Sequence, residues 1–162
     1  MRKKTAFLGV FLAFALILSY VESLIPFYFG VPGVKLGLAN LAVLLALFCY
    51  GWKEALLINV ARVLLAGFLF GNLFMIMYSL TGALFSFVAM LFLKKTKRFS
   101  MVGVSIAGGV SHNVGQIMVA YFVTKTAGVA FYLPVLLAAG AVVGMVIGIT
   151  ASKTQKHIKK FL

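Results

Sequence analysis

The chain has 162 residues, of which 64% are hydrophobic and 10% are charged, and 15 Lys and Arg residues against two acids give it a formal net charge of +13. Soluble globular domains carry about 25% charged residues, so this composition excludes an ordinary soluble domain and predicts a membrane protein with several spans. The basic residues form short clusters between apolar runs. That pattern argues against a nucleic-acid-binding surface and is typical of loops that follow the positive-inside rule.

The apolar runs predict six membrane-spanning helices in a single transmembrane domain over residues 1–162. The predicted spans cover approximately residues 5–26, 35–50, 55–70, 73–93, 101–124 and 129–151. Gly51–Glu54 is predicted as a tight interfacial turn with Trp52 at the level of the headgroups, and Lys94–Arg98 ends span 4. Met1–Lys4 precedes an apolar run that continues to Ile25, which fits an uncleaved first span better than a cleaved signal peptide.

The distribution of basic residues predicts the orientation. With the N-terminus in the cytoplasm, twelve of the 15 Lys and Arg residues lie inside: three before span 1, Lys53, four after span 4 and four in the tail at residues 152–162. Only Lys35 and Lys125 then lie outside, and Arg62 lies within a span. This bias predicts that both termini are cytoplasmic.

Small residues at four-residue spacing mark helix faces on which two backbones can approach closely. The sets with this spacing are Gly9 and Ala13 on span 1, Gly67 and Gly71 on span 3, Ser111 and Gly115 on span 5, and Gly140, Gly144 and Gly148 on span 6. Packing within the bundle is the simplest interpretation of each set. For the pair on span 1, which lies in the cytoplasmic half of that span, docking to a different protein is the alternative.

Polar side chains inside the predicted spans are the candidates for a functional site, because such groups normally face a cavity or a partner. They are Glu22, Asn40, Asn59, Arg62, His112, Asn113 and Gln116. The rise of about 1.5 Å per helical residue places Glu22, Asn40 and Gln116 near the outer ends of their spans. Arg62 and His112 lie nearer the midplane, and an ion pair between Glu22 and Arg62, about 10–15 Å apart in height, would need tilted helices. Two interpretations stay open: hydrogen bonds that hold the bundle together, and a polar substrate site or coupling relay.

Several chemistries lack the residues that they need. The chain contains no Asp, its two acids are Glu22 and Glu54, and Cys49 is its one cysteine. The sequence has no Gly-x-x-x-x-Gly-Lys-Ser/Thr phosphate-binding loop, and His112 has no second His or Cys at metal-ligand spacing. We therefore expect no enzyme activity, no metal site and no cofactor, and an energy source that is either an ion gradient or a partner protein.

Three segments carry a family resemblance: PGVKLGLANL at residues 32–41, ARVLLAG at 61–67 and GGVSHNVGQ at 108–116. Together they resemble the Gx transporter family, whose members are often labelled heptaprenyl diphosphate synthase component I, and the resemblance extends over roughly residues 6–151. That family in turn looks like the substrate-binding (S) subunits of energy-coupling factor (ECF) transporters. The resemblance implies a six-helix, S-component-like bundle in the cytoplasmic membrane of a prokaryote.

The resemblance also implies a mode of action. Such a subunit captures a vitamin or a similar scarce nutrient at the outer face of the membrane and topples while docked on a shared module. Candidate substrate-binding residues are Glu22, Lys35, Asn40, Arg62, His112, Asn113 and Gln116. The loop at residues 27–34 would act as a lid, and its Gly30, Pro32 and Gly33 suit a gating loop.

The implied partners are a coupling membrane subunit, two ATPase subunits and a small-molecule substrate, within a lipid bilayer and without nucleic acid. Docking in the family uses small residues on the first span, which correspond here to Gly9 and Ala13. The pair in this chain begins with Gly where the family motif begins with Ala.

Two other functions stay open. Prenyl diphosphate synthases bind Mg²⁺-diphosphate through Asp-rich motifs, because hard cations prefer carboxylate oxygens, so a chain without Asp fits only a non-catalytic membrane component of heptaprenyl diphosphate or isoprenoid-quinone biosynthesis. Lys35, Arg62 and His112 could meet an anionic ligand in that role. The third hypothesis is a stand-alone ion-coupled carrier in which Glu22 is the coupling carboxylate.

Overall fold

The structure, a computed structural model, describes residues 2–24, 37–158 and 160. Within these ranges it contains α-helices, one 3₁₀ helix and no strand, as the sequence predicts. The α-helices are α1 (Arg2–Leu24), α2 (Asn40–Cys49), α3 (Trp52–Phe70), α4 (Leu73–Thr96), α5 (Met101–Thr124) and α6 (Leu133–Ile158), and the 3₁₀ helix Ala127–Tyr132 precedes α6.

Helix α2 corrects the prediction of a span over residues 35–50. It has only 10 residues, about 15 Å of helix, whereas the hydrocarbon core of a bilayer is about 30 Å thick. It begins late because Gly37 has φ +85°, a left-handed backbone that favours glycine, and the chain turns there before Asn40. The six residues Ala42–Leu47 are all buried, and α2 contacts all five other α-helices. A helix that is hydrophobic on every side forms the centre of the bundle.

Three other boundaries differ from the predicted spans. Trp52–Glu54 is not a tight turn but the first turn of α3, where Glu54 is favourably placed at the positive end of the helix dipole. The basic residues Lys94 and Lys95 belong to the last turn of α4, and the predicted tail continues α6 as far as Ile158. Cations are stabilised at helix C-termini, so these basic clusters extend the helices that they were expected to end. The predicted span 101–124 coincides with α5.

Among the residues that the structure describes, three helical segments are long and apolar enough to cross a membrane on their own: Thr5–Leu24, Leu73–Thr96 and Ala127–Ile158. The helices α3 and α5 have 19 and 24 residues, but both carry polar residues along their buried sides. The prediction of six helices with a membrane composition is therefore confirmed in its coarse form. The crossing of all six and the side on which each terminus lies stay predictions.

Glycines hold α5 against α6. A Cβ atom added to Gly109 would lie 2.2 Å from the carbonyl oxygen of Gly140, and one added to Gly144 would lie 2.7 Å from that of Ser105. The prediction of a packing stripe on the last span is confirmed at this crossing. On the other side of α5, a Cβ atom added to Gly115 would lie 3.0 Å from the Cα atom of Gly82 on α4. Because the backbones approach this closely, the most extensive helix–helix contacts of the bundle are those of α5 with α6 and with α4.

The orientation can be tested with a matched pair of cysteines. Lys97 and Lys125 are the C-caps of α4 and α5, both left-handed with φ 57° and 51°, and about 36 Å of helix separates their loops. In a Cys49→Ser background, we expect a membrane-impermeant maleimide to label Lys125→Cys in intact cells and Lys97→Cys only after permeabilisation. Labelling in the reverse order would contradict the predicted orientation, and equal labelling would show that α5 does not cross the membrane.

Candidate functional site

Helices α1, α3, α4 and α5 enclose a small polar cavity, which the turn before α2 closes on one side. Five polar side chains line it: Ser19, Glu22, Arg62, Ser79 and His112. Its free volume is about 10 Å³, close to the minimum that one water needs. The cavity therefore combines a cation, an acid, an imidazole and two hydroxyls inside an otherwise apolar bundle.

Arg62 is fixed by two amide side chains. Its Nη2 atom donates to Asn59 Oδ1 at 3.1 Å and to Asn40 Oδ1 at 3.2 Å. Asn59 Nδ2 in turn donates to the carbonyl of Ala83 at 2.9 Å, and Asn40 Nδ2 donates to Ser86 Oγ at 3.3 Å. These bonds connect α2, α3 and α4 and hold Arg62, a residue that is only 4% exposed.

Glu22 closes the cavity near the end of α1. Its carboxylate accepts hydrogen bonds from the backbone N–H groups of Gly37 and Leu38, the latter at 3.4 Å. The carboxylate is also near enough to Arg62 for the two charges to attract each other. The height difference read from helix rise does not keep these residues apart, because both line the same cavity.

His112 occupies a slot between two glycines. The Cβ position of Gly37 lies 3.4 Å from its Cδ2 atom, and that of Gly82 lies 3.0 Å from its Cε1 atom. A Cβ atom at position 82 would press on the ring and on the carbonyl oxygen of His112, whereas one at position 37 would touch the ring at van der Waals distance. Residues from α4 and from the turn before α2 thus set the position of a side chain that belongs to α5.

Three polar atoms of the cavity residues have no hydrogen-bond partner among the residues that the structure describes. They are Ser19 Oγ, Ser79 Oγ and Arg62 Nε. The side chains that carry them are 4%, 8% and 4% exposed. Leaving a buried donor without an acceptor costs about 1–3 kcal/mol, so three such atoms around one cavity are a feature that structural packing alone does not explain.

The structure divides the sequence-predicted site residues into three groups. Glu22, Arg62 and His112 line the cavity, and Asn40 joins them through its bond to Arg62. Asn113 instead donates to the carbonyl of Leu136 on α6, which is the bundle-holding role that the sequence left open.

The remaining predicted residues lie elsewhere. Gln116 is fully buried, packs its Cγ atom against Gly82 and is not part of the cavity wall. Lys35 and the predicted lid at residues 27–34, with Gly30, Pro32 and Gly33, lie outside the described residues.

Four cavity and network residues were missed by the sequence reasoning: Ser19, Gly37, Ser79 and Ser86. A signal existed for most of them. Ser19 precedes Glu22 by three residues and so shares its helix face, and Ser79, Gly82 and Ser86 form a small, polar stripe on an otherwise apolar helix. Hydroxyls are common in apolar helices, where they bond to the backbone, so a serine in such a helix does not by itself indicate a site.

The small pair on α1 does not pack inside the bundle. Gly9 and Ala13 are both exposed, and nothing lies within 4 Å of a Cβ atom added to Gly9. Packing, the simplest interpretation of this pair, is therefore wrong for the chain on its own. Among the helices that the structure describes, α1 contacts α2 and α3, and these contacts leave Gly9 and Ala13 exposed.

Within the described ranges, no three His, Cys or acidic side chains lie near enough together to hold a metal ion. The sequence model of one protein family, described as heptaprenyl diphosphate synthase component I, matches residues 11–154. No curated protein and no solved structure shows significant similarity to the chain.

Proposed function

We propose that this chain, which belongs to the heptaprenyl diphosphate synthase component I family, is the substrate-binding membrane subunit of an ECF-type importer for a vitamin-like or other small micronutrient. The observation that carries the proposal is the polar cavity. Charged residues within membrane helices are costly and mark substrate or ion pathways by default. Here an arginine, a glutamate and a histidine from three helices meet in one place.

The cavity suits binding better than catalysis. Arg62 and Glu22 are both held by hydrogen bonds, so neither is poised as a free acid or base. The acid of the cavity, Glu22, accepts hydrogen bonds from the backbone N–H groups of Gly37 and Leu38, which suits a positioning role better than that of a catalytic base. A site of fixed, hydrogen-bonded groups is preorganised to recognise a ligand.

Transport against a gradient then needs energy from other chains. The sequence contains no phosphate-binding loop for ATP, so we assign hydrolysis to two ATPase subunits and their coupling to a further membrane subunit. The open, small-residue face of α1 at Gly9 and Ala13 suits close packing with a helix of that coupling subunit.

Gentle purification from the host membrane followed by native mass spectrometry tests this proposal. We expect the chain to copurify with a coupling subunit and two ATPases and to carry a bound small molecule. A soluble prenyl synthase as the main partner would contradict it. So would ion-gradient-driven uptake by the chain alone in liposomes that is abolished by Glu22→Gln.

The docking face can be tested separately. We expect Ala13→Leu to reduce copurification of the coupling subunit by about tenfold or more, since a bulky side chain prevents close approach of two helices. Ala138→Leu is the matched control, because Ala138 is an exposed alanine on α6, and it should change nothing. Equal loss in both variants, or in neither, would remove α1 as the docking helix.

A second candidate function, a non-catalytic membrane component of heptaprenyl diphosphate synthesis, is favoured by the family description and by an apolar groove. Leu84, Phe85, Val88 and Phe92 line this groove of about 520 Å³ on the outside of α4. A groove of that size and polarity suits a hydrocarbon chain. Copurification with a prenyl synthase, lost when Val88 is replaced by Trp, would support this candidate over the importer.

A further inference from the structure

We infer that the polar cavity recognises its ligand through a carboxylate group, which accepts hydrogen bonds from Arg62 and from the hydroxyls of Ser19 and Ser79. This inference rests on the proposed substrate-binding role and names the chemical class of the substrate. It makes the ligand a small organic acid.

The unmet hydrogen-bonding capacity of the cavity belongs to donors. Arg62 Nε can only donate, and the hydroxyls of Ser19 and Ser79 can donate as well as accept. All three side chains line the same space and are more than nine-tenths buried. A ligand that satisfies all three must bring several acceptor lone pairs on neighbouring atoms, which a carboxylate does.

The charges of the cavity favour one negative charge on the ligand. The guanidinium of Arg62 bonds to two neutral amide oxygens, so its hydrogen bonds within α2 and α3 do not neutralise it. Glu22 offsets part of this charge and is itself held by backbone donors. An amine would be repelled by the positive charge of Arg62, and a doubly charged phosphate would be repelled by Glu22 more strongly than a singly charged carboxylate, which also matches the forked guanidinium.

The wall can move to admit such a ligand. The present free volume of about 10 Å³ is too small for an organic acid. Met75 forms part of the wall, is only partly buried, and has an unbranched side chain that repacks easily. Met75 lies in the first turns of α4, which the predicted orientation places on the outer side of the membrane, so entry beside it fits capture from outside.

The test is a thermal-unfolding titration of the purified chain in detergent at constant ionic strength, with four probes: butyrate, butyramide, butylamine and inorganic phosphate. A probe that binds the folded state raises the melting temperature, and the rise grows with the logarithm of one plus the ratio of the probe concentration to Kd. We expect stabilisation by butyrate and none by the other three.

The variants test the donors. Arg62→Lys, which keeps the positive charge but loses Nε and the paired donors of the guanidinium group, should raise the Kd of butyrate about tenfold. Ser79→Ala should raise it severalfold without lowering the melting temperature of the unliganded chain, because it removes an unpartnered hydroxyl.

Lys53→Gln is the matched control, because it removes an exposed positive charge far from the cavity, and it should leave butyrate binding unchanged. The inference is overturned if no probe binds, if butyramide, butylamine or phosphate binds as well as butyrate, or if Arg62→Lys and Ser79→Ala bind butyrate as wild type does.

Butyrate binding to the purified chain needs no partner protein, so this test is independent of the test of the importer role. Absence of ATPases with normal binding would therefore overturn the importer role alone, and ATPase capture without binding would overturn this inference alone.

Discussion

Replacing Gly109 with alanine is expected to destabilise the folded chain strongly. The new Cβ atom would lie 2.2 Å from the carbonyl oxygen of Gly140 and 3.4 Å from the Cα atom of Gly144. These are backbone atoms of α6, so no side-chain rotation can relieve the clash, and α5 and α6 must move apart. Overpacking of a well-packed interior costs typically about 1–3 kcal/mol and occasionally more. We place this change at the upper end, on the order of 3 kcal/mol.

The measurement is the free energy of unfolding in mixed detergent micelles, with Gly9→Ala as the matched control. Gly9 also lies inside a long helix, but nothing lies within 4 Å of its added Cβ atom. Alanine is the better helix former by up to about 1 kcal/mol, so the control should be neutral or slightly stabilised. The same glycine-to-alanine change should therefore lower the free energy of unfolding at Gly109 and leave it unchanged or raise it slightly at Gly9. Similar effects at both would mean that α5 and α6 are not packed backbone to backbone.

The helices were predictable because each rests on a local signal. Long apolar runs predict α1, α4 and α6, and basic clusters lie where the runs of α4 and α6 stop. The positions of the ends were less predictable. Lys94 and Lys95 continue α4, because a lysine near a helix C-terminus extends the helix as readily as it ends a span. The short length of α2 depends on the backbone of Gly37, which a hydropathy count does not register.

The ionisable residues of the site were predictable from the sequence, but the contacts between them were not. Glu22, Arg62 and His112 were identifiable because ionisable residues are rare in membrane helices, and they do meet. Heights counted along straight helices separated Glu22 from Arg62, since such a count ignores tilt. The contributions of Ser19 and Ser79 depend on which helix faces adjoin, which is information that only the packing of α1 on α3 and of α4 on α5 supplies.

The second large effect is expected for Arg62→Gln. The change leaves Glu22 buried at 5% exposure without its nearby positive charge, and it takes a donor from Asn40 and Asn59. A hydrogen bond donated by a charged group contributes about 1.5–3 kcal/mol, and a buried oxygen left without its donor adds to the loss, so two such bonds are worth several kcal/mol. We expect a loss of that order in the free energy of unfolding, measured in mixed detergent micelles.

A double-mutant cycle isolates the charge term from the lost hydrogen bonds. Glu22→Gln keeps an oxygen that accepts from the N–H groups of Gly37 and Leu38 but removes the negative charge. If the two charges attract each other, Arg62→Gln should cost at least about 1 kcal/mol less in a Glu22→Gln background than in the wild type. Additive losses would mean that the charges of Glu22 and Arg62 do not attract each other measurably in the native chain. In that case the cavity would favour an anionic ligand more strongly, and the exclusion of phosphate would lose its physical basis.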